Sequence, residues 1–176
     1  VIDPLTNPLD LAVDVVRPLG SALTTPTIHL TPLDIDECRA IIDGRRLAHW
    51  ASDYPSDGDR FVAHGSANHA ETQPWCHYHV SLASGLLVGG AGFHGMPVNE
   101  TVEIGYGIVG SQRGRGYASL AVALLVQLCI AAPEVAVVRA TTEPTNLASQ
   151  HVLAHNGFQR MDTTDDGEIV YLRSVE

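Results

Sequence analysis

The sequence predicts an α+β domain with a largely antiparallel sheet, on three observations. Strand-type runs are joined by short turn signals at Ala83-Ser84-Gly85 and Asp165-Asp166-Gly167, the mark of hairpins. Apolar strands near 101–109 and 135–141 each lead into a helical segment, the mark of crossovers. Between residues 103 and 118 the chain reads EIGYGIVGSQRGRGYA, a strand that passes through a Gly/Arg loop into a helix. The resulting order, βααβββαβαββ, mixes a meander with crossovers, which is the α+β pattern.

Each element has a local reason. Residues 27–31 form a short strand. A helix starts at Asp34, carries Ile35, Cys38, Ile41 and Ile42 on one face, and stops at Asp43-Gly44. Residues 53–59, Asp-Tyr-Pro-Ser-Asp-Gly-Asp, have the composition of a turn-rich loop, and a second helix is expected over 61–71. Strands follow over 75–82 and 86–93, then a turn at 98–100 and a strand over 101–109. The apolar run at 117–131 is a buried helix, 135–141 a strand, and 146–155 a helix that Asn146 caps and Gly157 closes. A last hairpin pairs 158–161 with 168–174. Residues 1–26 carry four prolines and read as an N-terminal extension to a single domain over 27–176.

Composition excludes several classes of function. A net charge of −10 disfavours nucleic acid and an anionic membrane surface. No apolar run reaches membrane-spanning length. Cys38, Cys76 and Cys129 are scattered, which argues against a disulfide framework or a zinc knuckle and fits a reducing cytoplasm. His77 and His79 share a strand face and His151 and His155 a helix face, but neither pair has the partners a metal site needs, so no metal is expected. The acidic body would tolerate a cationic amine.

The loop at 113–118 is read as an anion site. Gly114 and Gly116 remove side chains so that backbone N–H groups can close on phosphate, and the helix opening at Tyr117 and Ala118 adds its positive end. Arg113 and Arg115 add forked donors. A Walker loop requires a lysine, and the chain has none. A dinucleotide fingerprint fails because Ser119 stands at its final small-residue position. On the preceding strand, alternation puts Glu103, Gly105 and Gly107 on one face, a carboxylate beside two bare positions. A bulge among these glycines would splay the strand and free its N–H groups.

Arg113-x-x-Gly116-x-Ala118, followed by Asn146-Leu147-Ala148-Ser149 and Asn156-Gly157-Phe158, resembles the GNAT acetyltransferase superfamily over roughly residues 27 to 174. Ile28-His29-Leu30-Thr31-Pro32-Leu33 and Gly92-Phe93-His94-Gly95 are similar to its ribosomal-protein N-acetyltransferase branch. The resemblance implies the GNAT fold and direct acetyl transfer from acetyl-CoA to a primary amine of a small molecule or a protein N-terminus. A CoA-binding module without activity is the alternative, and a homodimer is left open. It assigns Ile108, Val109, Arg113, Gly114, Arg115, Gly116, Tyr117, Ala118 and Asn146 to the cofactor and Glu103 to the base. Many members place a thiolate acid seven residues after the helix asparagine, but Leu153 stands there, so Ser149 is the expected partner of the thiolate. Trp50, Tyr54 and His79 are candidates for the acceptor pocket.

Overall fold

Strand pairing follows the hairpin signals. The computed structural model describes residues 27–66 and 73–175. The expected extension at 1–26 and the end of the second expected helix, 67–71, lie outside the described residues. The elements are β1 (Ile28–Pro32), α1 (Ile35–Ile42), α2 (Asp57–Ser66), β2 (His77–Leu82), β3 (Leu87–Phe93) and β4 (Thr101–Ile108). They continue with α3 (Tyr117–Ile130), β5 (Val137–Thr142), α4 (Leu147–His155), β6 (Gln159–Thr163) and β7 (Ile169–Ser174). The order of elements is the expected one. The seven strands form one sheet in the order β1-β2-β3-β4-β5-β7-β6. Every pairing is antiparallel except β4 with β5.

Two apolar clusters cover the sheet. The larger packs α3 and α4 on one face, with Val88, Val102, Ile104, Ile108 and Val138 from the strands beneath Leu124, Leu125 and Leu153. The smaller gathers Ile41, Trp50, Tyr54 and Ala63 with Leu87 and Val109, the strand neighbours that alternation turns the other way.

Three local expectations are corrected. Helix α2 begins at Asp57, inside the stretch read as a loop. Ser56 and Asp59 form a reciprocal cap: Asp59 Oδ2 accepts from the Ser56 N–H at 2.8 Å, and the Asp59 N–H donates to Ser56 Oγ at 3.3 Å. Its residues are also turn formers, so composition alone reads them as a loop. Strand β2 begins at His77, because Trp75 and Cys76 still belong to the turn after Pro74. The strand over 101–109 ends at Ile108, and no register shift interrupts its pairing with β3 from Gly89–Ile108 to Phe93–Ile104. The strand opens by a different route. Its parallel ladder with β5 stops at Glu103–Arg139, and beyond that point β4 is paired on one side only.

Candidate active site

The open edge of β4 borders a cleft of about 430 Å³. Gly107 and Ile108 form its strand side, Arg113, Gly114, Gly116, Tyr117 and Ala118 its loop side, and Asn146, Ser149 and Val152 its α4 side. Gly116 caps α3 in the left-handed region at φ 83°, with no side chain on the helix end. The N–H groups of the first turn are therefore donors for a ligand. Gly114 is also left-handed, at φ 75°. The loop is held from both ends. Arg113 Nε donates to the Ile108 carbonyl at 2.9 Å. Ser111 donates through its N–H and hydroxyl to Asp53 at 2.8 and 2.6 Å.

Across the cleft, Asn146 caps α4 by accepting from the Ser149 N–H at 3.1 Å, and its amide nitrogen remains a donor. Ser149 Oγ lies 2.8 Å from the Tyr106 hydroxyl. Burial pushes the Tyr106 phenol up to about 12, so it stays protonated at neutral pH. Sequence reasoning missed Tyr106. Alternation along β4 puts this tyrosine on the face with Val102, Ile104 and Ile108, but only the crossover after β5 brings α4 against it.

A second cleft, of about 320 Å³, lies on the other side of β4. Tyr106 and Gly107 line both clefts, so the two meet there. The floor of the second is bare sheet: Gly90 pairs with Gly107 and Gly92 with Gly105. Its upper wall includes Tyr54, Asp59, His77, His79 and His94. His79 is buried, 2.5 Å from a Glu37 carboxylate oxygen and 3.3 Å from the Tyr54 hydroxyl. The interaction with His79 holds the Glu37 carboxyl below its ordinary value. Burial pushes the Asp59 carboxyl up, against the pull of its bonds from Ser56.

The expected residues divide accordingly. Ile108, Arg113, Gly114, Gly116, Tyr117, Ala118, Asn146 and Ser149 come together around the first cleft. Val109 does not: it is buried in the smaller cluster, and its N–H donates to the Val88 carbonyl at 2.9 Å. Arg115 is not among the residues lining the cleft. Tyr54 and His79 line the second cleft, whereas Trp50 is buried behind Tyr54 with ring centroids 5.1 Å apart. Glu103 lines neither. Arg139 Nη1 binds one of its oxygens, while Thr141 Oγ1 at 3.5 Å and His94 Nδ1 at 3.6 Å face the other. Among the described residues no group of three His, Cys, Asp or Glu side chains is placed to hold a metal ion. No described helix is long and apolar enough to cross a membrane.

A mixed sheet that splays beside a Gly/Arg loop, with a helix opening at the loop, is the GNAT architecture. The chain belongs to the GNAT acetyltransferase family: the family model for the acetyltransferase (GNAT) domain matches residues 25–159. No curated protein matches it. Among solved structures it is similar to a spermidine N-acetyltransferase SpeG chimera from Vibrio cholerae and hSSAT, at TM-score 0.65 and 13% identity over 84% of this chain and 95% of that one. It is also similar to RimL, a ribosomal L7/L12 alpha-N-protein acetyltransferase solved with coenzyme A, at TM-score 0.63 and 17% identity over 88% and 96% of the two chains. A third is the aminoglycoside acetyltransferase AAC(6')-Ib with coenzyme A, at TM-score 0.61 and 20% identity over 84% and 94%.

Proposed function

We propose that this chain transfers an acetyl group from acetyl-CoA directly to a primary amine. The observation that carries the reading is the meeting of two clefts at Gly107, one of them walled by the Gly/Arg loop. CoA lies in the first cleft, its pyrophosphate on the N–H groups after Gly114 and Gly116 and on Arg113, and its pantetheine arm along Ile108 and the Asn146 amide. The thioester then sits beside Tyr106, and the acceptor approaches over the glycine floor. Relatives with this fold are named for spermidine, a ribosomal protein and aminoglycosides, so the fold leaves the amine undefined.

The Tyr106–Ser149 pair replaces the acid that Leu153 cannot provide. Ser149 Oγ donates to the leaving sulfur and the protonated Tyr106 phenol supports it, which is general-acid assistance by a relay of two hydroxyls. No cysteine lines either cleft, and burial pushes the Cys129 thiol up to about 12, both of which favour direct transfer over an acyl-enzyme. Glu103 takes a positioning part in this reading. Arg139 neutralises it, and it steadies His94 at the rim of the acceptor cleft. A thiol-release assay with acetyl-CoA and a panel of amines tests the function. CoA binding without thiol release from any amine would favour the non-catalytic module.

A further inference from the structure

Asp59 is the only carboxylate among the described residues that line the acceptor cleft. Its two oxygens are in different situations. Oδ2 accepts from the Ser56 N–H at 2.8 Å and the Ser56 hydroxyl at 2.5 Å, which completes the helix cap. Oδ1 has no hydrogen bond among the described residues. It points at the glycine floor, because a Cβ placed on Gly90 would stand 2.8 Å from it. Capping α2 requires one oxygen. The other is left free, in a largely buried site, against bare sheet.

Register gives this oxygen a location relative to the chemistry. Gly90 is the direct cross-strand partner of Gly107, the position at which the clefts meet. Directly opposed residues stand about 5 Å apart, so Oδ1 overlooks the junction. Glu103 lies four residues further along β4, about 13 Å from Gly107 at strand spacing, and is bound to Arg139. Among the described residues the cleft walls also carry Leu33, Ile41, Val62 and Tyr78, beside Tyr54 and the imidazoles of His77, His79 and His94. A volume of about 320 Å³ is at the small end for a ligand cleft.

We propose that Asp59 Oδ1 receives the ammonium of a small primary amine with an apolar body and takes its proton for transfer. This rests on the acetyl-transfer reading and names its substrate class. The described lining offers one carboxylate for one cationic nitrogen, whereas a polyamine or an aminoglycoside would bring further ammonium groups with no second carboxylate among the described lining residues to meet them. An N–H bond breaks as an O–H bond forms on Asp59. The freed lone pair attacks the thioester carbonyl, and collapse of the adduct breaks the C–S bond and leaves its electron pair on sulfur. The adduct nitrogen sheds a second proton to solvent, the sulfur takes one from the Tyr106–Ser149 pair, the pair recovers its proton from solvent, and Asp59 gives up to solvent the proton it took. The sum is one amide, one CoA thiol and one released proton.

Calorimetry on the CoA-loaded protein, with benzylamine and its neutral counterpart benzyl alcohol, reads the docking. The amine is expected to bind at least about tenfold more tightly, as a charge-assisted hydrogen bond allows. Asp59→Asn, which keeps an oxygen for the Ser56 cap, is expected to abolish that preference and leave CoA affinity unchanged. With acetyl-CoA, transfer to benzylamine is expected to fall about a hundredfold or more in this variant. Equal binding of the two probes, or of neither, by the wild-type protein overturns the proposal, even if Asp59→Asn does not fold. So does a preference that survives in Asp59→Asn, and transfer within about twofold of wild type removes the proton role. If the probes behave as expected but no amine is ever acetylated, the ammonium site stands and the acetyltransferase reading fails. Acetylation of other amines without the probe preference has the reverse meaning.

Discussion

Tyr106 and Ser149 are 43 positions apart and touch through their hydroxyls at 2.8 Å. Ser149→Ala is expected to slow single-turnover acetyl transfer about ten to a hundredfold with the enzyme saturated in acetyl-CoA, and Tyr106→Phe to slow it less. The double variant should be no slower than Ser149→Ala, because the phenol acts through the serine, and groups that act as a unit are not additive. A rate for Ser149→Ala within twofold of wild type would return the serine to its place at the start of a helix.

Glu37, the partner of His79, and Asp59, on the second cleft, affect stability with opposite signs. His79 depresses the folded pKa of Glu37, so the stability it contributes is present above the ordinary value of 4.5 and is lost as pH falls through the lower folded value. Burial raises that of Asp59, so its contribution is present below the ordinary value of 3.8 and is lost as pH rises through the folded one. Thermal melts should therefore show Glu37→Gln less stable than wild type at pH 7, with the gap closing in acid. Asp59→Asn should be the more stable protein at pH 7, its advantage also vanishing near pH 3. A carboxyl whose burial costs folding stability is the pattern of a functional site. Melting curves of Asp59→Asn that match wild type at every pH would mean that burial does not strain this carboxylate.

At the level of elements, the Gly/Arg loop does its work through backbone shape. Gly116 has φ 83° and open space where a Cβ would go, and it lines the first cleft. Gly116→Val would both strain a left-handed residue and fill the approach to the helix end. Loss of CoA affinity by at least tenfold, about 1.4 kcal/mol, is expected by calorimetry on the folded variant. Unchanged affinity would remove the phosphates from this loop. Helix α4 contributes at both of its ends. Asn146 opens it at the first cleft, while Asn156 closes it and donates to Ser119 Oγ at 3.0 Å, tying it to the first turn of α3. The end of α4 is thus fixed to the start of α3.

In the whole molecule the sheet is a partition between two clefts, perforated where β4 leaves β5. Its glycines are not equivalent. A Cβ on Gly92 would lie 2.6 Å from the His77 Cα, a backbone clash that substitution cannot relieve cheaply. A Cβ on Gly107 would meet nothing within 4 Å. Gly107→Val should accordingly fold with little change in melting temperature, since β-branched residues suit strands. It should nevertheless lose acetyl transfer, because the side chain fills the junction. A variant with full activity would show that the substrates meet elsewhere.

Local sequence specified the order of elements, the α+β class, the Gly/Arg loop between β4 and α3 and both caps of α4, because each depends on spacing within a few residues: turn chemistry, apolar period, a glycine at a left-handed position. Even the failure at α2 was local, a cap written in turn-forming residues. Tertiary structure alone decided the rest. It set Tyr106 against Ser149, bound Glu103 to Arg139, withdrew Val109 and Trp50 into the core, and turned the free oxygen of Asp59 toward Gly90. Those contacts depend on strand register and on where a helix lands after its crossover. Both are set by packing the two apolar clusters against the sheet, a sum over many distant residues that no local pattern carries.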